Sequence, residues 1–165
     1  MTKDDILIRR GTLDDVGDIA AFNQNMARET EGIELIPEVI LAGTKQLTEN
    51  ENLGFYLVAE SAGKIIGSLM VTTEWSDWRN GQFWWIQSVY VVPAWRRRGL
   101  YRRLYEKVKE LAGTNENVCG YRLYVEKENT IAQTTYDRVG MHETRYKIYE
   151  ELKEDVDFMK NSREI

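Results

Sequence analysis

The sequence predicts a single domain of the α/β (α+β) class, with a mixed, partly antiparallel central sheet that is flanked by helices on both faces. Three observations support this fold class. Segments rich in β-branched and aromatic residues alternate with amphipathic segments of helical period. The short turn at residues 61–64 joins two of the strand-like segments as a hairpin, so part of the sheet is antiparallel. The strand-like segment at residues 83–92 leads into a helix with one strongly apolar face.

In the first half of the chain, the sequence predicts one strand, two helices and a hairpin. Thr12 and Asp15 are spaced almost as in a capping box, which predicts that a helix begins at residue 13 and runs to about residue 29. Pro37 suits the first position of a second helix. A polar tip at residues 74–81 follows the second strand of the hairpin and leads to the next strand. The three strand-like segments of this half are residues 6–10, 55–60 and 65–73.

In the second half, strands and helices alternate. The strand at residues 83–92 ends at Pro93, because proline has no N–H group to donate to a sheet. Gly140 ends the last helix. A helix, a strand, a short helix and a last strand are predicted at residues 100–112, 121–126, 130–139 and 143–152. The predicted order is therefore β-α-α-β-β-β-α-β-α-β.

Length and composition limit the classes of function. The 165 residues suit one domain, at residues 1–152, followed by a charged tail at 153–165 that is frayed or disordered. The net charge of -5 disfavours general nucleic-acid binding and suits cationic substrates. The sequence has no apolar run of about 18 residues and no apolar leader, so we expect neither a membrane span nor a signal peptide. Cys119 is the only cysteine and His142 the only histidine, so we expect no disulfide and no metal site, and a cytoplasmic protein.

Residues 96–101 combine the features of an anion-binding turn. The first N–H groups of a helix have no partner within the helix, and the helix dipole is positive at that end. Gly99 has no Cβ, so a ligand can approach the backbone closely. Arg96, Arg97 and Arg98 add positive charge in front of it. A phosphate or pyrophosphate is the expected ligand, and a solvated basic turn is the alternative.

Two segments resemble the GNAT superfamily of N-acetyltransferases. The run Arg-Arg-Arg-Gly-Leu-Tyr at 96–101 is similar to the signature Arg/Gln-x-x-Gly-x-Gly/Ala, with Tyr101 in place of a small residue. Residues 129–141 are similar to Asn-x-x-Ala-x-x-x-Tyr-x-x-x-Gly-Phe, with Met141 in place of the aromatic residue. The two motifs lie at the spacing of the superfamily, and together they are far more specific than either alone. The resemblance spans about residues 6–152, although the superfamily usually has two strands after the second motif.

The resemblance implies that acetyl-coenzyme A is the cosubstrate. Its pyrophosphate would lie in the turn, and its pantetheine arm would pair with the central strand, because an open strand edge can hydrogen-bond amides. A backbone N–H near residues 89–91, where the central strand of the superfamily bulges, would stabilise the oxyanion. The residues expected to bind this cosubstrate are Tyr90, Val91, Val92, Arg96, Arg97, Arg98, Gly99, Leu100, Tyr101 and Asn129.

Tyr136 is the candidate catalytic acid. The resemblance places it near the sulfur of the cosubstrate, and a phenol can donate a proton to a thiolate. The alternative is a structural tyrosine, since the chain has nine. Asn129 is expected to cap the helix that carries Tyr136 and also to bind a pantetheine amide.

The sequence shows no strong general base. Many members of the superfamily have an acidic residue on the central strand, where this chain has Gln87 and Ser88. For the nearest carboxylates, a solvated surface position is the preferred interpretation. Trp75 and Trp78, in the polar hairpin tip, could form an aromatic wall for a cation, with core and edge packing as the equal alternative. The candidate acceptor-site residues are Glu74, Trp75, Trp78, Gln87, Ser88 and Glu126.

These features predict an N-acetyltransferase that transfers the acetyl group of acetyl-coenzyme A directly to a primary amine, either a small molecule or a lysine-like side chain. The alternative is a domain that binds acyl-coenzyme A without turnover, because Gln87 and Ser88 are not acidic. Neither nucleic acid nor a membrane is an expected partner. The acceptor and the oligomeric state are left open, and a homodimer is compatible with the sequence.

Overall fold

The computed structural model describes residues 5–160. This part of the chain contains a mixed sheet of five strands. The strands are β1 Ile6–Arg10, β2 Phe55–Ser61, β3 Lys64–Ser76, β4 Gly81–Val91 and β5 Val118–Arg122. The α-helices are α1 Val16–Glu31, α2 Pro37–Glu49, α3 Leu100–Gly113 and α4 Thr130–Arg138. Strands β1 to β4 are antiparallel neighbours, whereas β4 and β5 are parallel and are joined through α3.

Helices cover both faces of the sheet, as the sequence predicts. Strand β2 shows why, because its successive side chains point to opposite faces. Leu57 belongs to the larger buried cluster, which includes Leu104 and Val108 of α3. Val58 belongs to a second cluster with Ile19 of α1. The predicted fold class, mixed and partly antiparallel with helices on both faces, is confirmed. None of the described helices is long and apolar enough to cross a membrane.

The N-terminal start of α1 is fixed by a polar network. The predicted capping box is present: the N–H of Thr12 donates to Asp15 Oδ2 at 2.7 Å, and the Thr12 side chain faces the N–H of Asp15. The Thr12 hydroxyl also donates to Asp15 Oδ2 at 3.1 Å. Arg9 donates to both carboxylate oxygens of Asp15, and this ion pair lowers the pKa of the buried carboxyl. The box caps a short 3-10 turn, and α1 itself begins at Val16 rather than at residue 13.

The hairpin between β2 and β3 has the predicted two-residue turn. Ala62 and Gly63 both have positive φ, 50° and 74°, which is the conformation of a type I′ turn. This turn pairs Ser61 with Lys64 and sets the register of the two strands.

Two predicted strands differ from the structure. The strand expected at residues 121–126 is β5, Val118–Arg122, and so begins and ends earlier. The strand expected at 143–152 is wrong, because none of the described residues after α4 lies in a sheet strand. Ile148 and Tyr149 in this segment are exposed by 66% and 90%. Strand propensity alone forms no ladder where the backbone groups have no neighbouring edge to pair with.

The described end of the chain returns to the link between α1 and α2. Leu35 and Met159 form an isolated antiparallel bridge. The N–H of Ile36 donates to the carbonyl of Phe158 at 2.9 Å, and the N–H of Lys160 donates to the carbonyl of Glu34 at 2.8 Å. The prediction of a frayed or disordered tail at 153–165 is therefore wrong for residues 158–160, and residues 161–165 lie outside the described part.

Candidate functional site

Strands β4 and β5 separate halfway along β4. Their last paired residues are Trp85 and Arg122, so residues 86–91 have no partner on β5. The register with β3 shifts at the same level, and Ser88 there has a positive φ of 49°. This is a β-bulge, which redirects backbone groups and side chains. The resemblance predicts a bulge near residues 89–91, and the structure has it at Ser88, beside the open edge of β4.

Backbone pairing decides which groups reach this edge. The N–H of Val92 donates to the carbonyl of Ile66 at 3.0 Å, so it already has a partner on the β3 side. In an antiparallel pair, successive residues direct their backbone groups alternately toward and away from the neighbour. Val91 therefore faces the open edge, while Tyr90 and Val92 face β3. Of these three residues, which the sequence analysis expected to pair with the pantetheine arm, only Val91 offers its N–H there.

The turn that follows β4 leads into α3 through two residues with left-handed backbone. Arg97 and Gly99 have φ values of 63° and 72°. The N–H of Arg103 makes the first helical bond, to the carbonyl of Gly99 at 3.1 Å. The N–H groups of residues 100–102 precede that bond and have no partner within the helix. A Cβ built on Gly99 would meet no atom within 4 Å, so the approach to these groups is open.

The arginines of the turn have different partners. Arg97 and Arg98 are exposed, and the Arg98 guanidinium lies 5.1 Å from the centre of the Trp95 ring. Arg96 instead donates to Glu29 of α1 at 2.6 Å and to the carbonyl of Val91 at 2.8 Å. The Arg96 side chain therefore ties the turn to α1 and to the end of β4.

Glu29 holds a second residue of the central strand. The Tyr90 hydroxyl donates to Glu29 Oε1 at 2.9 Å, and the Arg96 guanidinium lies 5.3 Å from the centre of the Tyr90 ring. Burial, and after it the neighbouring carboxylate of Glu29, raise the pKa of Tyr90. The Tyr90 side chain thus has a structural role at the junction of β4 with α1.

Tyr136 lies beside the first turn of α3. Its ring meets the ring of Tyr101 edge to face, with 5.5 Å between the centroids. Burial raises the pKa of Tyr136, so the phenol keeps its proton to higher pH than a free tyrosine. Asn129 caps α4 as predicted, because its side-chain oxygen accepts from the N–H of Ala132 at 3.1 Å. Leu100 is buried in the core, so only its backbone can reach a ligand at the turn.

Glu74 is held by two donors from neighbouring strands. Trp85 Nε1 donates to one carboxylate oxygen at 2.5 Å and Arg122 Nη1 to the other at 2.6 Å. The Arg122 guanidinium also lies 3.7 Å from the centre of the Phe83 ring. Glu74 thus lies at the surface, as the preferred sequence interpretation holds, with 41% of its side chain exposed, but its carboxylate is paired with Arg122. Both carboxylate oxygens of Glu74 therefore already accept a charge-assisted or indole hydrogen bond in this arrangement.

Gln87 lies on the same face of the sheet as Glu74, since alternate side chains of paired strands share a face. Its amide donates to Thr72 Oγ1 at 2.6 Å and accepts from the Tyr124 hydroxyl at 3.2 Å. The Tyr124 ring also packs against the Trp85 ring, with 6.1 Å between the two centroids. Gln87 thus orients Tyr124 at the side of the opening between β4 and β5.

The remaining candidates do not join this face. Trp75 follows Glu74 directly in β3 and so points to the opposite face. Trp75 and Trp78 are exposed by 60% and 84% at the hairpin tip. Glu126 lies in the loop before α4, where its carboxylate accepts from the N–H of Glu128 at 2.7 Å. The structure therefore brings together Glu74 and Gln87, but not Trp75, Trp78 or Glu126.

Sequence reasoning missed three residues of this region: Glu29, Arg122 and Tyr124. Glu29 stands 67 positions before its partner Arg96, and Arg122 stands 48 positions after Glu74. The sequence signals for them are weak. Glu29 is an acidic residue near a helix end, and Arg122 and Tyr124 are polar residues near a strand end. Both patterns are common on protein surfaces.

The Glu74 network gives a testable expectation for stability. Glu74→Gln keeps the shape but removes the charge, so the bonds from Arg122 and Trp85 weaken. Because Glu74 is partly exposed, we expect the free energy of unfolding to fall by only about 1 kcal/mol. Urea denaturation measures this change. Glu110→Gln, on the exposed side of α3, is the matched control and should change stability by less than about 0.5 kcal/mol. Equal stability of the two variants would show that the network contributes nothing.

Comparison with known proteins adds to this geometry. The model of the Acetyltransferase (GNAT) family matches residues 20–141, more than half of the chain. The structure is similar to that of a possible acetyltransferase from Clostridium difficile 630, with 46% identity, a TM-score of 0.84, and coverage of 90% of this chain and 97% of the other. Among curated proteins, no sequence is significantly similar to this chain.

More distant structures share the fold. A predicted acetyltransferase with acetyl-CoA from Clostridium acetobutylicum has a TM-score of 0.74 and 17% identity, covering 88% of this chain and 96% of that one. The aminoglycoside acetyltransferase AAC(6')-Iy, in complex with a bisubstrate analogue of CoA, has a TM-score of 0.71 and 18% identity, covering 90% and 98%. The family match and the 46% identical structure together show that the chain belongs to the GNAT family of acetyltransferases.

Proposed function

We propose that this protein transfers the acetyl group of acetyl-coenzyme A directly to a primary amine. One observation carries the proposal: the Tyr136 phenol packs against Tyr101, in the first turn of the helix whose free N–H groups form the anion-binding turn. A proton donor thus lies beside a site suited to a pyrophosphate. The open edge of β4 leads into the same turn. This arrangement suits a ligand with a phosphate end and an amide-bearing arm.

The residues fit acetyl-coenzyme A, which supplies the acetyl thioester when bound. The N–H groups of residues 100–102, with the exposed Arg97 and Arg98, would hold the pyrophosphate. The N–H of Val91 would bond an amide of the pantetheine arm. Backbone N–H groups at the Ser88 bulge would stabilise the oxyanion, and the Tyr136 hydroxyl would donate a proton to the departing thiolate. The distant relative from C. acetobutylicum, whose structure contains acetyl-CoA, supports this choice of cosubstrate.

A primary amine suits the acceptor side. The chain carries a net charge of -5, which attracts cationic molecules. An amine must lose its proton before it attacks, and water ordered by polar groups such as Gln87 and Ser88 would take that proton.

Release of free thiol from acetyl-coenzyme A, in the presence of a panel of primary amines, tests the proposal. We expect thiol release that depends on the amine and yields an acetylated product by mass spectrometry. Calorimetry with coenzyme A, run in parallel, should show binding. Binding without thiol release for every amine would favour the alternative, a domain that binds acyl-coenzyme A without turnover.

The pH dependence of the rate tests the absence of a strong base. An amine with a pKa near 10 is mostly protonated at neutral pH, so log kcat/KM should rise with a slope near one. Because burial raises the pKa of Tyr136 above its ordinary value, the acid stays protonated and no descending limb should appear below about pH 10. Glu74→Gln and Glu126→Gln should each leave this profile nearly unchanged. If either change removed a lower pKa and collapsed the rate, that carboxylate would be the base.

A further inference from the structure

We propose that Tyr101 is a positioning residue for Tyr136, whose phenol it holds in place beside the N-terminus of α3. This inference rests on the proposed function, in which Tyr136 is the proton donor. It assigns to Tyr101 a role for its ring, separate from the backbone N–H that faces the turn.

The first step is that α4 itself is held weakly. None of its residues is fully buried, and Ile131 is exposed by 82%. The hydroxyls of Thr134 and Thr135 bond only to carbonyls one turn earlier in the same helix. Gln133 bonds to the loop that precedes the helix. Val139 and Met141, which follow α4, pack against the larger buried cluster, and the Tyr136 ring adds its own contact with Tyr101.

The second step is the geometry of the contact. The rings of Tyr101 and Tyr136 are 5.5 Å apart between centroids, with 65° between their planes. Aromatic rings prefer this edge-to-face arrangement, which fixes both the distance and the tilt of the pair. A contact of this kind restrains the direction of the phenol more strongly than an aliphatic side chain of similar volume would.

The third step is that Tyr101 is itself rigidly supported. It stacks on Tyr105 with centroids 6.1 Å apart and 7° between planes. Tyr105 is buried and meets Tyr121 of β5 edge to face at 5.7 Å. A continuous row of rings thus connects Tyr136 to α3 and the sheet.

The environment of the Tyr101 hydroxyl indicates that the aromatic ring, and not the hydroxyl, holds Tyr136. It is buried and has no hydrogen-bond partner among residues 5–160. Burial, and after it the neighbouring Tyr136 and Tyr105, raise the pKa of Tyr101, which therefore stays neutral. A buried hydroxyl without a hydrogen bond costs free energy, so its removal should not destabilise the fold. Tyr101→Phe, which keeps the ring, is thus the conservative rescue variant.

The experiment compares Tyr101→Phe and Tyr101→Ala, with Tyr101→Leu as a second variant in case alanine prevents folding. Free proteins labelled with ¹³C at tyrosine Cζ are titrated by NMR, and the signal missing in Tyr136→Phe identifies Tyr136. We expect Tyr101→Ala or Tyr101→Leu to lower the pKa of Tyr136 toward about 10, because water reaches the phenol. Tyr101→Phe should leave it near the wild-type value. An unchanged titration in a folded Ala or Leu variant would overturn the inference.

Kinetics with the amine acetylated fastest in the panel complete the test. We expect Tyr101→Ala to lower kcat by about 10-fold or more, with a smaller change in coenzyme A affinity. In the Tyr136→Phe background, the same change should add less than about threefold, because the two residues act as a unit. If Tyr136→Phe retained full kcat, the proposed acid role and this inference would both be wrong. If Tyr136→Phe lost kcat while the Ala and Leu variants retained it, only the positioning role would be wrong.

Discussion

Replacement of Gly99 by glutamate should abolish measurable binding of coenzyme A. The new carboxylate would project into the open space in front of the free N–H groups of α3, where the pyrophosphate is expected. Like charges about 4 Å apart repel by about 4 kcal/mol at the effective dielectric near a protein surface. At about 1.4 kcal/mol for each factor of ten, the dissociation constant should rise by at least about 100-fold. Calorimetry with coenzyme A measures this change.

Gly99→Gln is the matched control, because glutamine has the shape of glutamate without its charge. Both side chains bear the same strain, since Gly99 has a φ of 72° that non-glycine residues adopt at a cost of about 1–2 kcal/mol. Thermal unfolding should therefore give similar melting temperatures for the two variants. We expect the glutamine variant to lose only about 10-fold in affinity. Equal affinity of the folded glutamate variant and the wild type would remove the pyrophosphate from this turn.

The strand, turn and helix at residues 83–113 were readable from the sequence because their signals are local. A proline that ends a strand, three arginines, a glycine and an amphipathic helix stand within about 20 consecutive residues. The capping box at Thr12, the Ala62–Gly63 turn and the Asn129 cap are local in the same sense. Each depends on the chemistry of neighbouring residues, which a sequence displays directly.

Pairings between distant segments were not readable. Arg96 carries the same charge as Arg97 and Arg98, yet only Arg96 is taken by Glu29, 67 positions earlier. Glu74 looks like an unpaired surface residue until Arg122, 48 positions later, is placed beside it by the parallel pairing of β4 with β5. Such partners depend on how the helices and strands pack. The sequence therefore shows that a charged side chain is present, but it does not show which partner that side chain contacts.

The predicted last strand failed for a related reason. Residues 143–152 have the composition of a strand, but a strand also needs an edge with which to pair. Residues 142–157 after α4 are instead exposed, and residues 158–160 form backbone hydrogen bonds with the link at 34–36. Strand propensity is a property of a segment, whereas strand formation depends on a second segment that the propensity does not identify.

Replacement of Tyr136 by phenylalanine should lower kcat by about 10- to 1000-fold, because it removes a proton donor and little else. The ring remains, so the edge-to-face contact with Tyr101 and the packing of α4 should persist. Coenzyme A affinity should therefore change by less than about threefold. Steady-state kinetics and calorimetry on the same preparations separate the two effects.

Tyr149→Phe is the matched control for this loss, since it also removes one phenol hydroxyl but lies at a side chain exposed by 90%. It should leave kcat unchanged. The pH profile gives a second criterion, because burial raises the pKa of Tyr136 and a wild-type rate limited by its ionisation should decline only above about pH 10. In Tyr136→Phe that decline should disappear, because the remaining slow reaction takes its proton from water. Equal turnover of Tyr136→Phe and the wild type would assign Tyr136 to packing alone and leave the thiolate to be protonated by solvent.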